Sequence, residues 1–567
     1  MMIEKTQYKS EKEWQEAWRQ KFDSEPPKIT LKARTRTPDL QMKDEMSKLQ
    51  TAAARTCYSP RVVEASEITD NQMMNILAQT YNGGHHTVFQ HDHFTFGLEG
   101  ISRQFVWSVL HDHPFSNSEQ SSQRSVRLDE PRYLAPKFKS EKASEIYRQA
   151  MLDAWQSYRD IAAALNPIAQ EEYLKIFPGR RTDLEKRTES PGREKKARNV
   201  ERSAEKKAIE VARYVVPISA MTQMLHTVSG LVLARLYRLS DMPGAEDESH
   251  MILGRMVNLV AEVEPLLAYR FDNPITADEL LEHKTIAEFS KRRESLDYAS
   301  QYARDFDQDM DGKPTKLVGW MENAEKIVAS AVRAQVGALE SQLSDADAID
   351  LILNPAKNRQ LADKLNLTHT AKLSRALGMV TYTWKTKMSH TGDSQAQRHR
   401  MTPGAKPLLE LVIPAEPDYE MPALIKTAPE NIKEMYHAAM ERAWNARNRL
   451  IELGESVEHA NYVLPNATSL RYYETADFLN FNHKMKMRTC LNAQEEIWRS
   501  SLIQIRDVQA RHPLLGRYLG PPCYTRHLAK TPPVCPEGAH FCGIPMWRAL
   551  DGEEKYSLDS FYDKRKI

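Results

Sequence analysis

Residues 210–217 read Glu-Val-Ala-Arg-Tyr-Val-Val-Pro, and residues 458–465 read Glu-His-Ala-Asn-Tyr-Val-Leu-Pro. The two stretches lie 248 apart, and the same register carries Thr227 to Thr475, Ala245 to Ala493, Glu248 to Glu496 and Pro265 to Pro513. One gapless register over residues this mixed marks a duplicated domain. A second block, Tyr147-x2-Ala150-Met151-x2-Ala154-Trp155, returns as Tyr436-x2-Ala439-Met440-x2-Ala443-Trp444 at a separation of 289, and Gln123-Arg124 is weakly echoed by Gln397-Arg398. The fall from 289 to 248 places a net 41 extra residues in the first copy, between Trp155 and Tyr214. That stretch includes a charged run broken by Pro-Gly (177–207), which reads as a surface excursion, with a polyanion-binding flap as the alternative.

The division expected is an N-terminal helical extension (1–49), a first domain (50–270) with its charged insertion near 166–206, a linker (271–319), a second domain (320–515) and a Cys/His-rich tail (516–567). Each copy is α+β, a mainly antiparallel sheet packed with long helices. In the first copy Ile146, Met151, Trp155 and Tyr158 fall on one helical face, with Ser144 as its N-cap. The Tyr-Val-x-Pro block is a short extended segment, because proline disfavours helix in the residue before it. Further helices are expected over Thr227–Leu239, from near Glu246 and Ala493, and over 320–345.

The 567 residues are 41% hydrophobic and 27% charged, enough apolar material for two cores. With 78 Lys and Arg against 77 Asp and Glu, the formal charge of +1 gives no global drive toward nucleic acid or anionic membrane. No apolar run approaches a membrane span, the first residues are too polar for a secretory signal, and the five cysteines do not form a disulfide framework; a cytoplasmic protein is expected.

Local chemistry concentrates in residues 84–124. His85, His86, His91, His93, His111 and His113 occur there, open to polar networks, cofactor or phosphate contacts, or a metal. Ser116, Ser118, Glu119, Gln120, Ser121, Ser122 and Gln123 surround Arg124, a set suited to a phosphorylated ligand because a guanidinium meets two oxygens at once.

Both copies resemble the flavin-dependent thymidylate synthase family. The first carries His86-x4-His91-x2-Phe94-Thr95-Phe96, Glu99-Gly100-x-Ser102-Arg103 and Glu210-x-Ala212-Arg213-x-Val215-x-Pro217; the second carries Tyr462-Val463-Leu464-Pro465, Thr475, His483, Met487-Arg488 and Ala493-Gln494-x-Glu496-Ile497. The resemblance implies an enzyme binding FAD and dUMP, with NADPH as reductant and methylenetetrahydrofolate as carbon donor. It further implies a homodimer that rebuilds the family's tetramer as a pseudo-tetramer. The family's Arg-His-Arg, followed by seven residues and a serine, aligns in the first copy onto His111-Asp112-His113 with Ser121. In the second, the Gln123/Gln397 register puts Lys385-Thr386-Lys387 there, and the literal Arg398-His399-Arg400 reads as out of register.

Arg213 of the first copy has Asn461 as its counterpart, and Arg488 of the second has Ser240. The resemblance therefore implies one composite nucleotide site, with Gln123, Arg124, Arg213 and Arg488 on the nucleotide and Ser121 and Arg488 at the reacting group. The cofactor would meet His86, His91, His111, His113, Glu119 and His483. In the tail, Cys523, Cys535, His540 and Cys542 are expected as a zinc or iron–sulfur ligand set. The residues leave open an enzyme with a changed substrate, a non-catalytic nucleotide-binding scaffold and a metal-dependent nucleotide enzyme.

Overall fold

The computed structural model describes residues 10–37, 45–112, 115–124, 126–268, 271–292 and 297–567. Helix α1 (Glu11–Lys21) is capped by Ser10 and buries Trp14 and Trp18. Strand β1 (Lys28–Arg34) and two short helices, Glu45–Thr56 and Asp70–Asn82, precede β2 (His93–Ser102), α2 (Arg103–Asp112) and β3 (Asn117–Gln120). A long α3 (Glu141–Ile176) and α4 (Pro191–Ala212) lead to β4 (Met221–Ser229), α5 (Gly230–Arg238) and α6 (Glu246–Val263). The second half repeats the plan: β5 (Thr315–Trp320), α7 (Ala324–Val336), β6 (Thr381–Ser389), α8 (His390–Ala396), β7 (Gly404–Ala405), α9 (Glu430–Glu452), β8 (Ser469–Asp477), α10 (Phe478–Arg488) and α11 (Glu495–Arg511).

The two sheets have the same topology, β1-β2-β4-β3 and β5-β6-β8-β7, antiparallel throughout. Strands β4 and β8 are separated by 248 at both ends, as the repeat requires. Equivalent cross-strand hydroxyl pairs, Thr95 with Thr227 and Thr383 with Thr475, tie the central strands of each sheet. The chain is a tandem duplication of one α+β domain.

The halves join through the segments that first revealed the repeat. Pro217 bridges Pro465, the Ile218 amide donates to the Leu464 carbonyl at 2.8 Å, and the Asn466 and Ala467 amides return bonds to the Val216 and Tyr214 carbonyls. Helices α3 and α9 pack against each other across this junction. Tyr147, Met151 and Trp155 meet Tyr436, Met440 and Trp444 in one apolar core spanning both halves. Each such side chain contributes roughly 1.5–3 kcal/mol by burial.

Two buried carboxylates lock the junction reciprocally. Glu248 accepts from the Ser102 amide and hydroxyl at the start of α2, and from the Tyr462 hydroxyl of the other half at 3.0 Å. Glu496 does the same with Ser389 at the start of α8 and Tyr214 of the first half. A carboxyl at a helix N-terminus offers acceptors to backbone N–H groups that lack intrahelical partners.

Five expectations change. The N-terminal stretch is not helical alone: β1, with Ile29 turned into the core, completes the first sheet. The long helix begins at Ser140 rather than Ser144, the Ser140 hydroxyl accepting from the Ala143 amide. Thr227 lies within β4, and the helix after it starts at Gly230. The charged insertion folds as a helical hairpin, because Ala169, Leu174, Ala197, Val200 and Ala204 supply a buried stripe within it. The stretch read as a linker carries helices Leu281–Arg292 and Asp297–Asp309. No helix among the described residues is long and apolar enough to cross a membrane.

Candidate functional site

At the seam between the halves, residues from both line one pocket of about 110 Å³. Strand β3 and the turn after it deliver Gln120, Ser121, Ser122, Gln123 and Arg124; α2 opens with Arg103, and Arg213 caps the end of α4. The second half adds Thr391, Ser394 and Gln395 from α8, Arg398 just beyond it, Asn466, and Arg488 from the end of α10. Five arginines and no carboxylate form this lining.

Gathering guanidinium groups in so small a space costs free energy, because like charges repel more strongly away from water. Burial, with Arg213 and Arg398 beside it, lowers Arg103 to about 9. Burial, with Arg398 and Arg124 beside it, lowers Arg488 to about 9. Partners hold the cluster in place. Arg103 Nη1 donates to Gln120 Oε1 at 2.7 Å, Arg213 Nη2 to Gln494 Oε1 at 3.0 Å, Arg124 Nε to Glu210 Oε1 at 2.8 Å, and Arg488 Nη2 to the Gln395 carbonyl at 2.6 Å. Yet Arg103 Nε, Arg213 Nε and Gln123 Nε2 are buried without a partner. A bound dianion would answer both the repulsion and the unmet donors.

The strands correct the register of the Arg-His-Arg tripeptide. Ser102 ends β2 and Ser389 ends β6, each caps the next helix, and each binds its equivalent glutamate, which fixes an offset of 287. That offset carries His111 to Arg398, so Arg398-His399-Arg400 follows α8 as residues 111–113 follow the start of α2. Lys385, Thr386 and Lys387 instead lie inside β6, paired with Tyr473, Tyr472 and Arg471. The second copy keeps both arginines, and Leu408 stands where the trailing serine is expected.

The tripeptide divides between two spaces. Arg398 lines the five-arginine pocket, while His399 and Arg400 line an adjacent one of about 230 Å³ with His111, Phe115, Lys406 and Glu474. Arg488 Nε donates to His399 Nε2 at 2.7 Å, joining the two. Burial and then the Arg488 cation hold His399 well below its ordinary value, so it is a neutral acceptor. His483 sits beside His399 and His369 and is lowered to about 4, chiefly by burial. On the far side Asp393 accepts from Trp107 and Lys406 and lies 3.2 Å from His111 Nε2.

Thus Ser121, Gln123, Arg124, Arg213 and Arg488 share one pocket, and His111 lines the next. Arg398, read from the sequence as out of register, joins them, as do Arg103, Gln395 and Asn466, which are not among the expected site residues. Glu119 is exposed on β3, within the electrostatic reach of Arg400. His86 and His91 line neither pocket; His86 packs on Tyr81 and Phe89, its Nε2 3.0 Å from the Tyr81 carbonyl, and His91 is exposed. His113 lies outside the described residues. In the tail, Cys523, Cys535 and Cys542 line a cavity of about 20 Å³ together with Cys490 of the second half, but His540 is exposed and does not line it. Among the described residues no group of three or more His, Cys, Asp or Glu is placed to hold a metal ion.

The position related to the five-arginine pocket by the duplication is built differently. Arg103 becomes His390, Arg213 becomes Asn461, Arg398 becomes His111, Arg488 becomes Ser240, and the β3/β7 pairing carries Arg124 to Glu410. His390 is buried and lowered to about 3, its Nε2 bonded to Gln104, while burial raises Glu410. With two histidines, an asparagine, a serine and a carboxyl in place of five guanidinium groups, the arginine cluster is absent there.

A family profile described as thymidylate synthase complementing protein matches residues 40–266 and 316–514. A flavin-dependent thymidylate synthase of Clostridium tetani is 29% identical over 231 residues, 40% of this chain and 82% of that protein. One of Saccharolobus solfataricus is 24% identical over 209 residues, 37% of this chain and 77% of that protein. A third, of Sulfurisphaera tokodaii, is 31% identical over 143 residues, 24% of this chain and 52% of that protein.

Proposed function

The chain belongs to the thymidylate synthase complementing protein family in both halves, and on that premise we propose that it is a flavin-dependent enzyme that methylates dUMP. Methylenetetrahydrofolate is the carbon donor and NADPH the reductant in this reading, and two chains associate into a pseudo-tetramer. The observation that carries it is the pocket where Arg103, Arg124 and Arg213 of one half meet Arg398 and Arg488 of the other.

The nucleotide phosphate answers the unpartnered donors of Arg103, Arg213 and Gln123. Ser121 and Arg488 face the pyrimidine, where a cation stabilises negative charge developing on the ring. The neighbouring pocket suits the flavin: Phe115 offers an apolar face, His399, Arg400, His111 and Lys406 offer polar contacts, and the buried Gln397 Oε1 has no partner. Bound FAD would supply the electrons and hydride.

Titration calorimetry with dUMP tests the composite pocket. Arg213→Ala and Arg488→Ala, on opposite halves, should each weaken binding by about 10- to 100-fold, since each removes a charged hydrogen bond. Unchanged affinity in either variant sinks the composite site. Flavin absorbance in the purified protein and dTMP formation then test the reaction; bound flavin and dUMP without dTMP would favour the reading with a changed substrate.

A further inference from the structure

A larger cavity of about 740 Å³ lies between the helical hairpin of α3 and α4 and the C-terminal tail. We propose that it is a separate site for a nucleoside polyphosphate. Its walls come mainly from the first-copy insertion and from the tail, the two stretches that the duplication does not repeat, so it belongs to neither copy's shared framework.

The lining carries six cations, Arg124, Arg180, Arg202, Lys206, Lys207 and Arg565, against the carboxylates Glu210 and Glu537. Glu210 is already engaged by Arg124 and Lys207. Arg202 and Lys206 have no ion pair among the described residues and project from one helix four residues apart, on one face. Arg565 is 1% exposed; its Nε and Nη2 donate to main-chain oxygens of Ile567, Leu491 and Ala493, while Nη1 is buried with no partner. An unmet guanidinium donor in the wall of a cationic cavity calls for an anionic oxygen. Arg180 is paired with Asp183, so the free charge is that of Arg202 and Lys206; with the unmet Arg565 donor they suit a chain of phosphates better than one carboxylate.

The cavity also has an aromatic side. Tyr173 and Phe177 line it with ring centroids 4.5 Å apart, and Phe541 of the tail lines it too. Aromatic faces beside a cationic wall match a base and a polyphosphate in one molecule, and the volume falls in the range of ordinary ligand pockets. Arg124 and Ser122 line this cavity and the five-arginine pocket alike, so the two sites share a wall.

Titration calorimetry on the full chain, with ATP, inorganic tripolyphosphate and adenosine as probes, tests the proposal. ATP should bind most tightly, and an Arg202→Ala/Lys206→Ala double variant should weaken it by about tenfold or more. Both side chains are exposed, so the variant should fold, and its affinity for dUMP should be unchanged. Absence of ATP binding, or equal binding in the double variant, overturns the site. Tripolyphosphate binding as tightly as ATP overturns the assignment to a nucleoside, and a single-stranded oligonucleotide that displaces ATP and binds more tightly overturns the small-molecule reading. Loss of dUMP binding by Arg488→Ala with ATP binding intact would separate this site from the one above.

Discussion

Glu248 and Glu496 show how single residues set the pH response of the junction. Each is fully buried and pushed by burial to about 7, although neighbouring donors pull the other way. A carboxyl raised on folding holds its proton more tightly in the native state. Its contribution is therefore complete below the ordinary value of 4.5 and is lost as pH rises toward 7. Replacing both with Gln in one chain should flatten that part of the stability profile. At pH 5 the double variant should lose little stability, since the carboxamide reproduces the acceptor oxygen and the donor of the protonated acid. Thermal melts from pH 4.5 to 7.5 would show this, and an unaltered slope in the double variant would refute it. The same scale marks the reach of the sequence. Arg213 and Arg488 could be paired from it because their losses in the opposite copies are complementary. Arg398 could not, because its register was carried across a loop by one Gln-Arg dipeptide, whereas backbone pairing and the Ser-Glu contacts fix it from the strand.

At the scale of elements, the start of α8 positions much of the candidate site, and a glycine makes that placement possible. A Cβ on Gly392 would fall 2.5 Å from Met388 Cγ and 2.8 Å from Glu496 Oε2. Met388 can give way, but the carboxylate is held by Ser389 and Tyr214. Gly392→Ala should therefore displace α8, costing about 1–3 kcal/mol, and weaken nucleotide binding by moving Gln395 and Arg398. Melting and dUMP titration read both effects, and a wild-type melting temperature would contradict the argument. Elements defined by repeated apolar spacing, such as α3 and α9, are legible in the sequence since their buried faces recur in both copies. Strand β1 and the insertion hairpin are not: β1 has only a short alternation around Ile29 and Leu31, and the hairpin hides small buried alanines among charged residues. Its charge is therefore a wall of the large cavity as well as a solvated face.

At the scale of the molecule, the duplication has fused two domains that depend on each other. Tyr214, Val216 and Ile218 of the first half and Tyr462, Leu464 and Ala467 of the second are buried in a core common to both. Their backbones exchange hydrogen bonds, and the two glutamates take tyrosine donors from the opposite half. Separating the halves would expose this apolar strip together with unpaired backbone groups and buried carboxyls, each costly in water or in a mismatched interface. The chain should therefore unfold in a single calorimetric transition, with the enthalpy from the peak shape equal to the integrated heat. Tyr462→Phe, which leaves Glu248 one donor short, should lower that one transition as a whole, because both halves share the core it destabilises. Two resolved transitions, with only the second responding to Tyr462→Phe, would mean that the halves fold independently and that the arginines meeting at their seam are held by a weaker contact than this interface provides.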